Sequence, residues 1–539
     1  MPHDKSITWT PITLTKPDPP PHKTWSPPPS TKGPKQRGPR GFNTRNGKPT
    51  PKNIFLTLVP REVWNGLAKA STAYARTDKA NSARQNPNKP TQPSPQFTPT
   101  DIQNWVCCNF AMGLLRAPNI EMYWNGPLAQ PSITSFVETV TKYRNLSRNL
   151  HWLNTAEVPM TEQALKTKDD AFWKIAGFLS AMSSSFESGR IPWPDLTLDE
   201  GTIGWRGRHK ARCFNPSKPE KYHLKFFSLN EARSGYCYSF FMYQGRDEKR
   251  PEGISATAYP VHRLVVQYES LHHKGYFLWA DNWFTSLYAA RACLSVGVEY
   301  TGTVRVDRCG KAFGTATETK KETKGWEKGT YRGKECVLDG KSFYAFQWQD
   351  NKVVTFLSTM KGVEGTITRN PRKKKEKGTP YSKVPVPCPS IVLAYNAGKV
   401  GTDRMDQQVA LYYCGRRWRW HVKVIMHIFH IALFNSYITY LDLEGKNRTD
   451  ITYLKYTQMF LDEMRPPLAP SSKYRPHTPM TPGHKPPTKK KKKKEEVDRK
   501  RCKTCALKTA TWCKECNVYL CINTVYSKKT CWSDYHEKL

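Results

Sequence analysis

Three hydrophobic patterns follow one another along this chain, and their order limits the architectures that it can adopt. Apolar residues recur with a helical period in residues 53–190, form short β-type runs in 191–306, and return to a helical period in 403–443. Both ends of the chain are rich in proline and basic residues. A strand-containing segment between two helical ones predicts a mixed α/β domain inside a split, mostly α-helical region.

The net charge points to a polyanionic partner. The 539 residues include 85 Lys and Arg but 45 Asp and Glu, a formal charge of +40. This length suggests three or four domains and excludes a small disulfide scaffold. Nucleic acid is the first candidate for the partner and a membrane surface the second.

The short apolar runs predict the elements of the α/β domain. Along the chain, the predicted elements are three strands, a helix, a strand, a helix and a strand. Residues 307–388 then read as a polar, lysine-rich insertion. The predicted strands are Leu196–Leu198, Tyr222–Phe227, Tyr236–Tyr243, Tyr276–Ala280, Val298–Val306 and Ser390–Tyr395. The predicted helices are Val261–Leu271, Ser286–Leu294, Asp403–Tyr413 and Trp418–Leu443.

Changes of composition predict the domain boundaries. We expect a disordered, basic, proline-rich tail over 1–52, a helical region over 53–190 and 413–465, and the α/β domain over 191–412. A basic linker over 466–500 and a cysteine-rich module over 501–539 follow. The start has no apolar signal sequence, and polar residues such as His427, His430 and Asn435 interrupt the apolar stretch 424–443. We therefore expect a buried helix there and no membrane association.

Four aspartates are candidates for a metal-dependent site. Asp199 and Asp281 each close a β-type run, and Asp403 and Asp406 lie three residues apart on one helix face. Carboxylates of this kind can bind Mg²⁺ (or Mn²⁺), and two such ions can assist a phosphodiester displacement. The alternative is that they are turn residues, helix caps or a solvated helix face.

The last 38 residues carry a zinc-like pattern. Two CxxC pairs are followed by further cysteines and a histidine, which favours one or two structural Zn²⁺ ions over disulfides. The candidate ligands are Cys502, Cys505, Cys513, Cys516, Cys521, Cys531 and His536. An eighth ligand could be His484, Asp534 or a water.

Basic clusters are candidates for DNA contacts. They are Arg206 and Arg208, then Lys373, Lys374 and Lys375, then Arg416, Arg417 and Arg419 with Trp420. Such groups can neutralise phosphates while an aromatic ring stacks on a base. They can equally be exposed surface residues, and Trp420 can be part of a hydrophobic core. The run Lys489–Lys494 reads as a nuclear import signal or as a solvated linker.

Six ordered blocks resemble the piggyBac transposase family. They are Leu198–Glu200 with Gly204–Arg208, Lys218–Tyr222 with Lys225, Asp281–Ser286, Gly302–Arg305, Tyr395–Gln407, and Arg419–Trp420 with Phe434–Ser436. The resemblance covers about residues 53–460, and the cysteine-rich tail is also similar. Val400 and Thr402 stand where the family usually has glycine and valine, so a glycine-dependent turn before Asp403 would change shape.

The resemblance implies a ribonuclease-H-like catalytic core with an inserted subdomain, inside a helical dimerisation and DNA-binding region that is split between 53–190 and 413–465. Asp199, Asp281 and Asp403 would be the metal-binding triad and Asp406 an additional essential acid. It also implies cut-and-paste excision and integration of double-stranded DNA at TTAA sites through hairpin intermediates, by a homodimer in the nucleus. Trp420 resembles an aromatic residue that handles hairpin DNA. Two other functions stay open: a domesticated DNA-binding protein without cleavage, and a chromatin adaptor that acts through the zinc module.

Overall fold

A computed structural model gives the fold of the chain. It describes residues 7–15, 37–42, 49–85, 93–125, 129–246, 248–369, 384–414 and 418–466, with short pieces between 479 and 535. The chain divides into two compact units, Met1–Arg465 and Pro466–Leu539.

The helices lie mainly before and after the strand-rich part of the first unit. Those before it are α1 Pro51–Leu58, α2 Arg61–Gln85, α3 Pro99–Leu114, α4 Pro131–Thr134, α5 Val140–Asn149, α6 Met160–Asp169 and α7 Ala176–Ser188. Those within it are α8 Tyr259–Val261, which continues as a π turn over His262–Val266, α9 Leu287–Ser295 and α10 Ala316–Glu322. Those after it are α11 Ser390–Gly398, α12 Gly401–Leu411, α13 Trp420–Glu444 and α14 Tyr453–Met464.

The strands follow the same order along the chain. The first unit contains β1 Thr10–Ile12, β2 Gly38–Pro39, β3 Arg190–Ile191, β4 Asp195–Gly204, β5 Arg212–Phe214, β6 Tyr222–Glu231 and β7 Cys237–Met242. It continues with β8 Tyr276–Ala280, β9 Val298–Thr303, β10 Tyr331–Leu338, β11 Lys341–Gln349, β12 Val353–Ser358, β13 Glu364–Arg369 and β14 Val384–Pro389. The second unit contains β15 Pro479–Met480, β16 Lys500–Arg501, β17 Lys508–Thr509, β18 Trp512–Cys513 and β19 Val518–Tyr519.

A ten-stranded mixed sheet organises the first unit. Its central strands lie in the order β7-β6-β4-β8-β9; β6 is antiparallel to both β7 and β4, whereas β4, β8 and β9 run parallel. Strand β8 has the sequence YFLWA and is buried throughout, as expected for a parallel strand that is covered on both faces. The mixed α/β architecture predicted from the sequence is therefore confirmed.

Helix α13 is the centre of the helical region. Residues from His421 to Leu441 are buried almost without a break, and the helix packs against α1, α12 and α14. It is long and apolar enough to cross a membrane, but its most apolar window is entirely buried inside the protein. A helix that is apolar on all sides is typical of the core of a large protein.

Three sequence-based expectations differ from the structure. The predicted strand Ser390–Tyr395 is wrong, because these residues begin α11. A six-residue apolar run fits a buried helix as well as a buried strand, so its period could not decide between them.

The predicted insertion is not a separate polar excursion. Its strands β10, β11 and β12 extend the main sheet through the pair Phe356–Thr303, and Phe346 and Trp348 are buried in it. Seven consecutive residues of β11 are buried, but the apolar run is short and the surrounding segments are rich in lysine and glycine, so the strand was not predicted.

Two short pieces of the expected disordered tail are ordered. Strand β1 pairs with β10, and β2 pairs with β3. Isolated apolar side chains account for the order of the first piece: Leu14 is 6% exposed and packs in the same core cluster as Phe346.

Candidate active site

The register of two parallel strands brings the first two aspartates together. Leu198 of β4 pairs with Ala280 of β8, where the parallel pairing of these two strands ends, so Asp199 and Asp281 are the next residues on each side. Asp281 follows the last residue of β8, whereas Asp199 does not close its strand as the sequence suggested, because β4 continues to Gly204. Two carboxylates that are 82 residues apart in sequence therefore lie at the same place.

The segment after β8 holds Asp281 in a defined turn. Its carboxylate accepts a hydrogen bond from the backbone N–H of Trp283 at 2.8 Å, and its carbonyl accepts one from the Thr285 hydroxyl at 2.7 Å. A Cβ on Gly302 of β9 would lie 2.1 Å from the Thr285 hydroxyl, so glycine is needed for this close approach. Ser286 then caps α9.

Helix α12 is docked onto β4 at its first turn. The Thr197 hydroxyl donates to the carbonyl of Gly398 at 2.6 Å and accepts from the N–H of Gly401 at 3.3 Å. Val400 has φ −89°, an ordinary value, so the residue at this position does not need the conformational freedom of glycine. The hydroxyl of Thr402 donates to Asn230 at 3.2 Å, which anchors the same turn to β6.

This docking carries Asp403 and Asp406 toward the sheet aspartates. Burial raises the pKa of Asp199 to about 7, and the charges of Asp281 and Asp403 add to the effect. Burial likewise raises the pKa of Asp406 to about 7, and Asp199 and Asp403 contribute. Burial also raises the pKa of Asp281. The four predicted acids therefore form one electrostatically coupled group.

The donor set of this group suits a hard divalent cation. Two strands and a helix contribute carboxylate oxygens, the ligands that Mg²⁺ prefers. No three of these oxygens lie within 4.8 Å of one another; among the described residues, that spacing is met only by a group of cysteines. A wider set is compatible with two ions, which typically lie about 3.5–4 Å apart.

Four side chains around the aspartates, Glu200, Lys218, Lys225 and Tyr395, were not predicted as site residues. Glu200 follows Asp199 and forms ion pairs with Lys225 at 3.1 Å and with Lys218 at 3.6 Å. Tyr395 is 6% exposed; burial raises its pKa to about 12, and three of the aspartates add to this. Glu200 could have been suspected because it directly follows Asp199, whereas the partners of Lys218 and Tyr395 depend on the fold.

The candidate DNA-contacting residues lie in different surroundings. Arg206 and Arg208 are exposed in the loop after β4. Arg419 donates to the Tyr74 hydroxyl at 3.0 Å, and the ring of Trp420 packs edge-on against His209 at 4.6 Å. Lys373, Lys374, Lys375, Arg416 and Arg417 lie outside the described residues.

Trp420 and Arg419 line a cavity of about 620 Å³. Its wall also contains Tyr74, Trp205 and Lys174. The cavity combines aromatic faces with cationic groups, so Trp420 belongs both to the packed core and to an accessible surface.

The second unit brings three of the predicted zinc ligands together. The sulfur atoms of Cys502, Cys505 and Cys531 lie within 4.8 Å of one another, which suits a tetrahedral zinc site. Cys516 is described outside this group, and only the backbone of Cys513 is described. Cys521, His536 and the alternative ligands His484 and Asp534 lie outside the described residues, as does the lysine run 489–494.

Comparison with known proteins defines the class. A family model described as "Transposase IS4" matches residues 50–437, the segment that contains all four aspartates. The chain therefore belongs to the piggyBac transposase family, which has an IS4-like DDE transposase domain.

Individual relatives agree with this class. The chain is 24% identical to human PiggyBac transposable element-derived protein 3 over 486 residues, which are 87% of this chain and 74% of the relative. It is 22% identical to human PiggyBac transposable element-derived protein 2 over 60% of this chain and 52% of the relative. The fold is similar to a piggyBac transposase synaptic complex with hairpin DNA, with a TM-score of 0.63 and 20% identity over 80% of this chain and 82% of that one.

Proposed function

We propose that the protein is a metal-dependent DNA transposase that excises and integrates DNA at TTAA sites through 3′-hydroxyl attack and hairpin intermediates. The observation that carries the proposal is the coupled group of four aspartates from β4, the end of β8 and α12. A protein that only binds DNA would gain nothing from four acids that repel the phosphate backbone. The strand order β7-β6-β4-β8-β9 supports a ribonuclease-H-like core.

The residues of this chain would divide the work. Asp199, Asp281 and Asp403 would hold Mg²⁺ or Mn²⁺, and Asp406, half-buried on the same helix as Asp403, would keep the ligand geometry as the additional acid. When bound, the ions would supply charge neutralisation and an activated water or 3′-hydroxyl. The Trp283 N–H bond would fix the direction of the Asp281 carboxylate, and the Thr197 bridge would fix the distance of α12 from the sheet.

Other parts of the chain support DNA as the substrate. The charge of +40 provides salt-dependent attraction to phosphates, and Arg206 and Arg208 stand exposed a few residues beyond Asp199. We propose that the protein works in the nucleus as a homodimer that holds two DNA ends, and that the zinc module binds one of them.

A second function is a domesticated protein that binds DNA without cutting it. It is favoured by the human relatives, whose names describe them as derived from transposable elements. The two functions differ in one measurement, which is strand cleavage.

The test uses the full-length protein and a duplex that carries the terminal inverted repeat flanking the coding region next to TTAA. The wild-type protein should produce a 3′-nick with Mg²⁺ or Mn²⁺, and Asp281→Asn should reduce the rate by about 10³-fold or more because a metal ligand is lost. The control is Asp462→Asn, an exposed acid on α14 in the helical region. If the wild-type protein binds this duplex but does not nick it, the domesticated function is correct.

A further inference from the structure

A lysine stands beside the acidic group in a rigid turn. Lys218 lies between β5 and β6, where the backbone N–H of Asn215 donates to the carbonyl of Lys221 at 2.9 Å and the N–H of Ser217 donates to the Asn215 side chain at 3.0 Å. Pro216 and Pro219 flank it and restrict the backbone further. The turn therefore presents the side chain of Lys218 from a fixed base.

Glu200 joins Lys218 to a second, more enclosed lysine. One carboxylate oxygen of Glu200 lies 3.1 Å from Lys225 Nζ and the other 3.6 Å from Lys218 Nζ. Lys225 is 17% exposed, and its ammonium lies 5.1 to 5.5 Å from the ring centres of Trp283, Tyr243 and Phe227. Rings on several sides hold Lys225 in place through cation–π contacts. Lys225 is thus the fixed partner of Glu200.

The ion pair between Glu200 and Lys218 is the weaker of the two. The side chain of Lys218 is 36% exposed, and 3.6 Å is longer than the 2.7–2.9 Å or so of a strong ammonium–carboxylate hydrogen bond. Partly exposed ion pairs of this kind contribute little, about 0–1 kcal/mol. A phosphate could therefore displace Glu200 from Lys218 at a small cost, while Lys225 would keep Glu200 neutralised.

Lys218 lies close enough to the aspartates to bind a phosphate that enters their site. The charge of Lys218 acts on the carboxylates of both Asp281 and Asp406, which lie on different elements. A phosphodiester that reaches this group meets four aspartates and Glu200, so it needs a cation from the protein as well as bound metal.

We propose that Lys218 binds the phosphate of the DNA strand that lies in the aspartate site, and that Glu200, anchored by Lys225, holds Lys218 in position until the DNA arrives. This inference rests on the proposed function, because it assumes that the substrate at the site is DNA. Lys218 is then a substrate-positioning residue, and Lys225 and Glu200 act through it.

The experiment measures binding and not cleavage, so a protein without nicking activity can still be tested. Full-length wild-type protein, Lys218→Gln and Lys218→Arg are titrated with Mn²⁺ alone, and then with a TTAA-containing duplex in Mn²⁺ at several NaCl concentrations. Lys249→Gln is the matched control, because Lys249 also forms an ion pair, with Asp169 at 3.2 Å, but on the exposed surface.

The expected pattern separates a phosphate contact from a structural ion pair. Lys218→Gln should weaken duplex binding about 3- to 10-fold and lower the salt slope by about 1, whereas Lys218→Arg should restore most of the affinity. Its Mn²⁺ affinity should be equal to or higher than that of the wild-type protein, because a neighbouring positive charge is gone. Lys249→Gln should match the wild-type protein in Mn²⁺ affinity and lose less duplex affinity.

Two results would overturn the proposal. In the first, Lys218→Gln binds the duplex as tightly as the wild-type protein or loses no more than Lys249→Gln. In the second, its affinities for Mn²⁺ and for the duplex fall together, which indicates that Lys218 only maintains the structure. A wild-type protein that binds no Mn²⁺ would contradict the proposed function, while the duplex comparison would still decide the role of Lys218.

Discussion

Burial, reinforced by neighbouring acids, is the main property of the aspartate group at the scale of single residues. Asp199 and Asp406 both have a pKa near 7, raised first by burial and then by their acidic neighbours. An aspartate in solution has its pKa near 3.8. Without a bound cation, ionisation of these groups therefore opposes folding, and cation binding should become tighter as the pH rises through 7.

Asp406→Asn should stabilise the metal-free protein at alkaline pH. Because the folded-state pKa lies above the unfolded value, ionisation lowers the free energy of unfolding progressively as the pH rises from about 4 to 7. Removing the ionisable group should recover roughly 1–3 kcal/mol at pH 8 and nothing at pH 4. Urea unfolding in a chelating buffer at the two pH values measures this. An equal effect at both would show that the acid acts through packing and not through charge.

Helix docking sets the site at the scale of secondary-structure elements. A Cβ on Gly401 would lie 2.7 Å from the carbonyl oxygen of Glu231 and 2.8 Å from the Thr197 hydroxyl. The first of these is backbone and cannot rotate away, so a larger residue must move α12. Glycine is required at position 401 because α12 lies too close to β4 and β6 to leave room for a side chain.

Gly401→Ala should therefore displace Asp403 and Asp406 from the sheet. We expect a loss of about 1–3 kcal/mol of stability, as for other overpacked sites, and a larger loss of metal affinity. Thermal unfolding and Mn²⁺ titration measure the two effects. Ala410→Ser, an exposed change on the same helix, is the control and should change neither. Unaltered Mn²⁺ binding in Gly401→Ala would show that the docking does not position the acids.

Buried histidines make helix α13 sensitive to acid. Burial lowers the pKa of His427 to about 4 and that of His430 to about 3, below the usual value of 6.5. For a base whose pKa is lowered on folding, the stability is present above pH 6.5 and is lost as the pH falls, because the unfolded chain binds more protons.

His430→Leu should reduce this acid sensitivity. Between pH 6.5 and 5 the wild-type protein should lose up to about 2 kcal/mol more stability than the variant, since one proton is worth about 1.4 kcal/mol per pH unit. Urea midpoints at both pH values give the comparison. The control is His273→Asn, an exposed residue with a φ of 53° that asparagine tolerates. If the stability of the wild-type protein and of His430→Leu depends on pH in the same way, His430 is not a source of the acid sensitivity.

Elements with a local signal could be predicted from the sequence, and elements defined by distant partners could not. The compact apolar run before Asp281 predicted the buried strand β8, and the long apolar stretch 418–443 predicted α13. By contrast, the run Ser390–Tyr395 carries no signal that separates a helix from a strand, and β10 to β12 join the main sheet only through the pairing of β12 with β9. The four aspartates were found from their sequence context, but the Glu200 bridge depends on strand register, which a single sequence does not show.

Two separate compact units define the whole molecule. Much of the first unit is a large hydrophobic core. In the described part of the second unit, the sulfur atoms of Cys502, Cys505 and Cys531 lie within 4.8 Å of one another, and a zinc ion bound there would contribute directly to the stability of this unit.

Zinc removal should therefore affect one unit and spare the other. A strong zinc chelator, or Cys531→Ser, should make residues after 466 sensitive to protease, while the thermal midpoint of the first unit stays within about 1 °C, because the stability of one domain is largely independent of another. Limited proteolysis with mass spectrometry and calorimetry measure both. Cys213→Ser, a half-buried cysteine in the first unit, is the control. A protein that contains no zinc as purified would contradict the prediction.

The strand that closes one edge of the sheet has a consequence for synthesis. Thr10 donates to the carbonyl of Glu335, a residue 325 positions later in the chain. During translation, this early segment must wait until most of the protein has left the ribosome before it finds its partner. Until then, the apolar side chains of Trp9 and Leu14 are open to other molecules, so chaperone dependence should be greatest for nascent chains that end shortly before residue 331.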